Sequence, residues 1–343
     1  MNRRDFVITS TTAAASLVLA GTVMAQPQKQ PAKPNAKPNA APAGPTFFDW
    51  KPLVPGVMVA VGQGGNTTLI DGPEIRYLID TKNSPWGKTV RREAESHAKA
   101  ASKLVVINTH HHADHTGGNH AFTKDCEVLA HEKALPRIPG NMARYVSQIK
   151  EAVGNFPKGP GPAIEKARAD WTEVYENVTK LEAKDFTPTK AIRDTHDFNT
   201  AGGAKLAAHQ FGPGHTDNDL VLHLPDLNVV VMGDLLFRKL HPFIDQNGGG
   251  TIEGWIAALK KAQELCDKST KLIPGHGELC GPEGIKDQIE YFEKSRDAVA
   301  KALKAGRDRK DILTMKVPFP GYANEDRQEM TMRQLYLELK DKK

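Results

Sequence analysis

The chain has little of what marks several other functional classes. Three cysteines among 343 residues are too few for a disulfide-stapled scaffold. The formal net charge of +5 is small for this length and spread along the chain, so no nucleic-acid partner is expected. Beyond the N-terminal region, no segment approaches the roughly 20 apolar residues needed to span a bilayer. We therefore expect a soluble mature chain without stable membrane insertion.

The sequence also lacks the usual marks of a covalent hydrolase. It contains no Gly-x-Ser-x-Gly turn, and none of its cysteines lies in a nucleophile-like setting, so an acyl-enzyme is not expected. If a disulfide forms in an oxidising compartment, Cys266 and Cys280 are the favoured pair and Cys126 is left over. Function should not depend on that bridge.

What the chain does have is a cluster of histidines after an apolar run. Residues 104–109 are apolar and rich in β-branched side chains, which predicts a buried strand. On extended backbone, His110 and His112 share one side and His111 faces the other. Asp114 and His115 follow as the chain turns, so they can face a second point nearby. This spacing indicates two metals.

The cluster alone has too few ligands for two metals, because each working zinc site takes about three protein ligands. Three further donors follow strand-like runs: His215 after residues 206–211, Asp234 after residues 229–233, and His276 after residues 271–273. A glycine precedes each of them and lets backbone pass close to a metal pocket. The repeated pattern makes these three the expected partners of the cluster.

With these motifs the sequence resembles the metallo-β-lactamase fold superfamily of dinuclear zinc hydrolases, from about Phe48 to about Ala300. The resemblance implies an α/β fold of the αββα type, in which two sheets lie between helices and the metals lie at one sheet edge. It also implies a supporting, non-ligating role for Asp80 and two Zn²⁺ ions, with iron or manganese as alternatives. In the implied assignment the first metal is held by His110, His112 and His215, the second by Asp114, His115 and His276, and Asp234 bridges the two.

The bridging position separates subfamilies. Cysteine-bearing zinc β-lactamases carry a thiolate where this chain has Asp234, whereas glyoxalase II carries a bridging carboxylate and the pattern seen at residues 109–119. The metal centre therefore resembles that of glyoxalase II. The flanking residues 64–66, 212–220 and 241–245 are more similar to exported bacterial hydrolases of the same fold, so the resemblance does not fix the substrate.

The resemblance implies a hydrolase for a small-molecule substrate, with an ester, thioester or amide carbonyl attacked by metal-bound hydroxide. Coordination lowers the pKa of bound water toward about 7, which would supply the hydroxide at neutral pH. Asp114 would orient that hydroxide and accept its proton. A zinc β-lactamase, an iron-dependent persulfide oxygenase and a non-catalytic periplasmic metal-binding protein are the alternatives. The sequence leaves metal identity, substrate and oligomeric state open.

The N-terminus predicts export. Arg3 and Arg4 precede a mildly apolar stretch at residues 6–20, and small residues ending at Ala25 form a cleavage site, which resembles a twin-arginine signal. We expect a signal at residues 1–25, a Pro/Ala/Lys/Asn-rich linker at 26–46 and one hydrolase domain at 47–343. The predicted location is periplasmic or secreted.

A helical insertion is expected at about residues 136–181, with helices at 142–153 and 163–181. Further helices at 252–265 and 284–303 should cover the sheets. The aromatic residues of this insertion are Tyr145, Phe156, Trp171 and Tyr175. We expect them to pack the insertion against the domain and not to form a wall of the substrate pocket.

Overall fold

The computed structural model describes residues 45–97, 102–156, 159–198 and 204–341. The expected signal at residues 1–25 and nearly all of the linker at 26–46 lie outside the described residues. No helix in the described part of the chain combines the length and the apolar character needed to cross a membrane.

The first sheet has its seven strands in sequence order. They are β1 (Asp49–Val54), β2 (Val57–Val61), β3 (Thr67–Ile70), β4 (Ile75–Ile79), β5 (Lys103–Ile107), β6 (Glu127–His131) and β7 (Lys190–Ile192). The pairs from β1 to β4 are antiparallel and those from β4 to β7 are parallel. The carboxyl ends of β4 and β5 therefore lie side by side.

The second sheet has five strands in the order β12-β11-β10-β9-β8. They are β8 (Thr195–Phe198), β9 (Leu206–His209), β10 (Val221–Leu224), β11 (Val229–Phe237) and β12 (Lys271–His276). Only the β11–β12 pair is parallel among these strands, so these two also end together.

The two sheets face each other across an apolar core. Val105 and Ile107 of β5 lie in that core, where Val229 and Val231 of β11 meet them. The alternate residues point outward and are buried under helices, as the period of two along a strand requires. Both strands are thus apolar on both faces, and the αββα arrangement expected from the sequence is confirmed.

Ten α-helices occur in the described residues. They are α1 (Gly87–Ser96), α2 (Ala113–Thr116), α3 (Arg137–Gly140), α4 (Met142–Asn155), α5 (Pro162–Glu176), α6 (Ala183–Phe186), α7 (Ile252–Glu264), α8 (Glu283–Lys304), α9 (Arg309–Leu313) and α10 (Gln328–Leu339). Residues of α1 and α5 pack on the first sheet, and residues of α7, α8 and α10 pack on the second. The helix expected at 163–181 is shorter, because α5 ends at Glu176 and a separate 3₁₀ turn follows.

Several strand bounds differ from the sequence-based expectation. β5 stops at Ile107 instead of residue 109, because the amide of Thr109 donates to the Asp80 carboxylate at 2.8 Å and leaves the sheet. β9 likewise stops at His209 instead of residue 211. β11 instead continues beyond residue 233, through a bulge at Gly233, whose φ is 51°. Asp234 is consequently within a strand and not at its end.

The cysteines and the insertion aromatics have structural surroundings. All three cysteines are free, so the Cys266–Cys280 bridge is absent. Tyr145 is fully buried and stacks on Phe186 at 4.4 Å between ring centroids. Phe156 and Trp171 belong to the apolar cluster over the first sheet, against which Tyr175 stacks through Trp171. These contacts match the packing interpretation of the insertion.

Candidate metal centre

The seven sequence-predicted side chains meet near the carboxyl ends of β5 and β12, where Asp234 comes from within β11 and His215 from the loop after β9. They form two groups. Within each group, the nitrogen and oxygen atoms that could bind a metal lie within 4.8 Å of one another. The first group is His110, His112, His215 and Asp234, and the second is Asp114, His115 and His276. Asp234 also touches the second group, since its Oδ1 lies 3.1 Å from Nε2 of His115.

In the first group two imidazoles face each other with unprotonated nitrogens. Nε2 of His112 lies 2.8 Å from Oδ2 of Asp245, an oxygen that only accepts, so Nε2 carries the proton and Nδ1 keeps its lone pair. Nδ1 of His215 donates to the carbonyl of Phe243 at 3.0 Å, which leaves Nε2 of His215 with a lone pair. These two nitrogens are 2.9 Å apart, a repulsive contact that a shared cation relieves.

The third histidine of this group is oriented by a short relay. The Thr109 hydroxyl donates to Asp80 at 2.8 Å, so its oxygen accepts from Nδ1 of His110 at 3.0 Å. Nε2 of His110 is then the unprotonated nitrogen. It is buried with no hydrogen-bond partner in the described chain, and Oδ2 of Asp234 lies 3.7 Å away. A buried polar atom without a partner is costly, which a bound cation would correct.

The second group also has a histidine oriented by an outer carboxylate, but two of its three side chains are partly exposed to solvent. Nδ1 of His115 donates to Asp80 at 2.7 Å, so Nε2 points inward and lies 3.4 Å from Nε2 of His276. Oδ2 of Asp114 lies 3.1 Å from that same atom of His276. The side chains of Asp114 and His276 are 34% and 24% exposed, whereas that of His115 is fully buried. A substrate can therefore approach from the Asp114 and His276 side.

The electrostatics of both groups favour a bound cation. Burial alone raises the pKa of Asp234, but the imidazoles around it, His276 first, outweigh burial and hold that pKa well below its usual value. Burial alone lowers the pKa of His276, yet Asp234 and Asp114 outweigh it and raise that pKa to about 9. In the first group burial lowers the pKa of His215 to about 3, so this histidine is neutral and able to ligate. The carboxylates thus supply negative charge, and the first group supplies neutral nitrogens.

Asp80 supports the site without joining it. Its backbone has a φ of 65°, and its carboxylate accepts from the Thr109 amide, the Thr109 hydroxyl and Nδ1 of His115. One carboxylate thereby orients His110 through Thr109 and His115 directly. Partners of this kind fix the tautomer and ring orientation of metal-binding histidines.

Glycines let backbone approach the two groups closely, as the sequence indicates. A Cβ on Gly275 would lie 1.9 Å from Oδ1 of Asp234, and one on Gly65 would lie 2.1 Å from Cε1 of His115. Neither position has room for a side chain. Gly275 directly precedes His276 within β12, so the close approach expected there is present although no turn separates the two from the strand.

Sequence reasoning missed two outer contacts of the first group, Asp245 and the carbonyl of Phe243. Both lie in residues 241–245, a segment noted only for its resemblance to exported hydrolases, and nothing local in it indicates a contact with His112 or His215. His111 lies apart from the seven, with Nδ1 near Asn218 and Nε2 3.4 Å from Oδ2 of Asp245. The strand alternation predicted to separate His111 from His110 and His112 is absent, since residues 109–111 bend after β5. His111, His112 and Asp245 also form a small group of their own.

The donor chemistry fits divalent metals. Imidazole nitrogens with carboxylate oxygens suit zinc, iron and manganese. In the first group, the nitrogen of His110 has no partner, and the lone pairs of His112 and His215 face each other. A bound metal ion would accept all three lone pairs.

Comparison with known proteins agrees with this geometry. Residues 60–276 match the family model for the metallo-beta-lactamase superfamily. The chain belongs to that superfamily. The resemblance to this family and the expected hydrolase class are thereby confirmed, while the glyoxalase II-like details stay predictions.

Relatives within the superfamily have varied activities. The acyl-coenzyme A thioesterase MBLAC2 of Bos taurus is 24% identical over 65% of this chain and 77% of its own. A linear primary-alkylsulfatase of a Pseudomonas species is 23% identical over 68% of this chain and 44% of its own. The stereoselective inverting sec-alkylsulfatase Pisa1 of a Pseudomonas species has a TM-score of 0.56 at 18% identity, covering 85% of this chain and 50% of that one. This structural likeness shows the shared fold.

Proposed function

We propose that the protein is a dinuclear zinc-dependent hydrolase of esters, thioesters or amides. The observation that carries the proposal is the facing pair of unprotonated nitrogens, Nδ1 of His112 and Nε2 of His215, beside the orphaned Nε2 of His110. Three imidazole nitrogens that point at one place in this way can ligate one cation. The second group places two imidazoles and a carboxylate around a neighbouring point, in a field that the carboxylates make negative.

The residues divide between two ions. His110, His112 and His215 would hold the first, Asp114, His115 and His276 the second, and Asp234 would contact both through its two oxygens. Two such cations, when bound, generate a nucleophile from water near neutral pH and polarise the oxygen of the bond under attack.

Asp114 is the residue placed to handle a proton. Burial alone raises its pKa, but His115 and His276 outweigh burial and hold that pKa below its ordinary value, so the carboxylate is ionised at neutral pH. Its exposed fraction of 34% puts it at the open side of the site. It can therefore orient a water molecule and accept its proton.

The cysteines do not offer a competing covalent route. Burial raises the pKa of each of the three thiols to about 11, so each is protonated at neutral pH. A protonated thiol is a poor nucleophile. The proposed reaction is accordingly direct attack by activated water.

The side of the first group favours a substrate with an apolar part. The half-buried ring of Phe243 lies edge-on to His112 with 5.6 Å between ring centroids. An acyl chain can pack on this ring while its carbonyl reaches the metals. The thioesterase relative supports acyl thioesters as the first class to test, and the alkylsulfatase relative brings sulfate esters into the same comparison.

The test is a substrate panel on zinc-loaded protein: an acyl-coenzyme A, an aryl ester, a lactone, a chromogenic β-lactam, a phosphodiester and an alkyl sulfate. Turnover of a thioester or ester that chelation abolishes and zinc restores is the expected result. Faster β-lactam turnover would make it a zinc β-lactamase, and preference for the alkyl sulfate a sulfatase. Oxygen uptake with a persulfide by the iron-loaded protein, or no turnover at all, would overturn hydrolysis.

We also propose that the protein acts in the periplasm or outside the cell. The paired Arg3 and Arg4 before an apolar stretch support export of the folded protein by the twin-arginine route. Replacing both by lysine should retain the protein in the cytoplasm on fractionation. An unchanged distribution would contradict this route.

A further inference from the structure

A single loop supplies the outer contacts of two histidines in the first group. This loop, residues 239–250, joins β11 to α7 and is called the outer loop below. Its Phe243 carbonyl accepts from Nδ1 of His215, and its Asp245 carboxylate accepts from Nε2 of His112. Asp245 is itself held by the amide of Gly248 at 2.8 Å. The position of the outer loop therefore determines how both imidazoles point.

The C-terminal segment, residues 308–341, holds both ends of the outer loop. At the start, the amide of His241 donates to the carbonyl of Ala323 at 2.9 Å, and the amide of Ala323 donates to the carbonyl of Lys239 at 3.0 Å. At the end, Nε2 of Gln334 in α10 donates to the carbonyl of Gly250 at 3.5 Å, and just beyond it Glu338 accepts from the amide of Ile252 at 2.8 Å. These contacts tie the two ends to one packed segment.

A buried side-chain relay strengthens the first of these attachments. Nδ1 of His241 lies 2.9 Å from the hydroxyl of Tyr291 in α8, which lies 3.1 Å from Oγ1 of Thr331 in α10. All three residues are nearly inaccessible to solvent. Phe243, whose carbonyl orients His215, follows His241 by only two residues, so the relay anchors the chain next to that carbonyl. Tyr291, Ala323, Thr331 and Glu338 all fall beyond the stretch that matches the family model.

We propose that the C-terminal segment is a positioning element for the first metal. Through the His241–Tyr291–Thr331 relay and the backbone pair at Ala323, it fixes the outer loop and so aims His112 and His215 at one point. The second group has its outer partner, Asp80, directly after β4 and should not depend on the segment. The inference rests on the metal assignment in the proposed function and is independent of the substrate.

Two variants of the full-length protein test the relay. His241→Phe keeps an aromatic ring among Tyr291, Phe319 and Tyr322 but removes its hydrogen bond, and Tyr291→Phe removes the hydroxyl alone. Zinc affinity at each of the two sites is measured by competition with a chromophoric chelator, and cobalt(II) absorption reports ligand geometry. Loss of an outer-shell partner weakens metal binding about 10–100-fold, and because the relay is one step further out we expect about 10-fold for either variant.

The matched control is Thr89→Val, which loses a buried hydrogen bond to Asp170 at 3.2 Å on the far side of the first sheet. The proposal predicts weaker binding at the first site only, a similar loss in the double variant, and wild-type binding in Thr89→Val. It is overturned if both variants bind two zinc ions like the wild type, or if both sites weaken equally. If the wild type itself binds no zinc, the proposed function fails together with this inference. If the wild type binds two zinc ions and the relay variants bind them equally well, this inference alone fails.

Discussion

Removal of the Asp245 carboxylate should lower the zinc affinity of the first site and leave that of the second site unchanged. Its Oδ2 accepts the Nε2 proton of His112 at 2.8 Å, and this bond keeps the ligating Nδ1 free. Without it, Nδ1 can take the proton instead, and the imidazole no longer ligates. Losses of 10–100-fold are typical for such partners, which correspond to about 1.4–2.7 kcal/mol of binding free energy.

Two substitutions grade the effect. Asp245→Ala removes both acceptors and should lie at the upper end of that range. Asp245→Asn keeps one oxygen, which cannot serve both His112 and the amide of Gly248, so its loss should be smaller. The control is Asp217→Asn, a nearby carboxylate that bonds Arg137 at 2.7 Å and Asn218 at 2.9 Å.

The assay is a zinc titration against a chromophoric chelator, with thermal unfolding of the metal-free variants measured in parallel. We expect the first-site affinity to fall in the order Asp217→Asn, Asp245→Asn, Asp245→Ala, with the second site unchanged. Equal affinities in all three variants would refute the tautomer argument. A loss shared by both sites would refute the separation into two groups.

Further changes test other parts of the site. Asp234→Asn should lower zinc affinity at both sites and hydrolysis by more than about 100-fold, measured by titration and initial rates, because this carboxylate touches both groups; a loss at one site alone would contradict its shared position. Asp114→Asn should lower kcat far more than zinc occupancy at the first site, and unchanged rates would exclude it as proton acceptor. Chelation with free zinc initially at 1,000 times Kd should lower the free energy of unfolding by about 4 kcal/mol in denaturant titrations, and an unchanged midpoint would show that the metals do not bind the folded state preferentially. Burial lowers the pKa of Lys82 to about 7, so from pH 7 to 10 the unfolded metal-free chain binds a proton that the folded chain does not. The free energy of unfolding should therefore rise with pH over that range, and Lys82→Met should flatten the rise; an equal slope in both proteins would contradict the buried ionisation.

The sequence was sufficient to predict the layers and the seven converging side chains. The apolar runs of β5 and β11 have the residues of doubly covered strands, and the histidine motif follows the first run while Asp234 comes just after the run at residues 229–232. Ligand identity is local information of this kind. It depends on which residue stands a few positions after a strand, not on distant contacts.

The outer contacts from Asp245 and the Phe243 carbonyl depend on the tertiary structure, and the sequence could not supply them. The end of β5 likewise depends on the side chain of Asp80, directly after the neighbouring β4, which takes the amide of Thr109. Asp245 reaches His112 across 133 positions of sequence, and no periodicity records that approach. The side predicted for His111 came from strand alternation, which the bend at residues 109–111 removes.

Anomalous diffraction at the zinc edge, on crystals grown from zinc-loaded full-length protein, tests the central claim most directly. Two peaks about 3.5–4 Å apart are predicted, one among His110, His112 and His215, the other among Asp114, His115 and His276, with Asp234 touching both. A single peak, or an ion held by His111 and Asp245 outside these seven residues, would contradict the two-metal assignment.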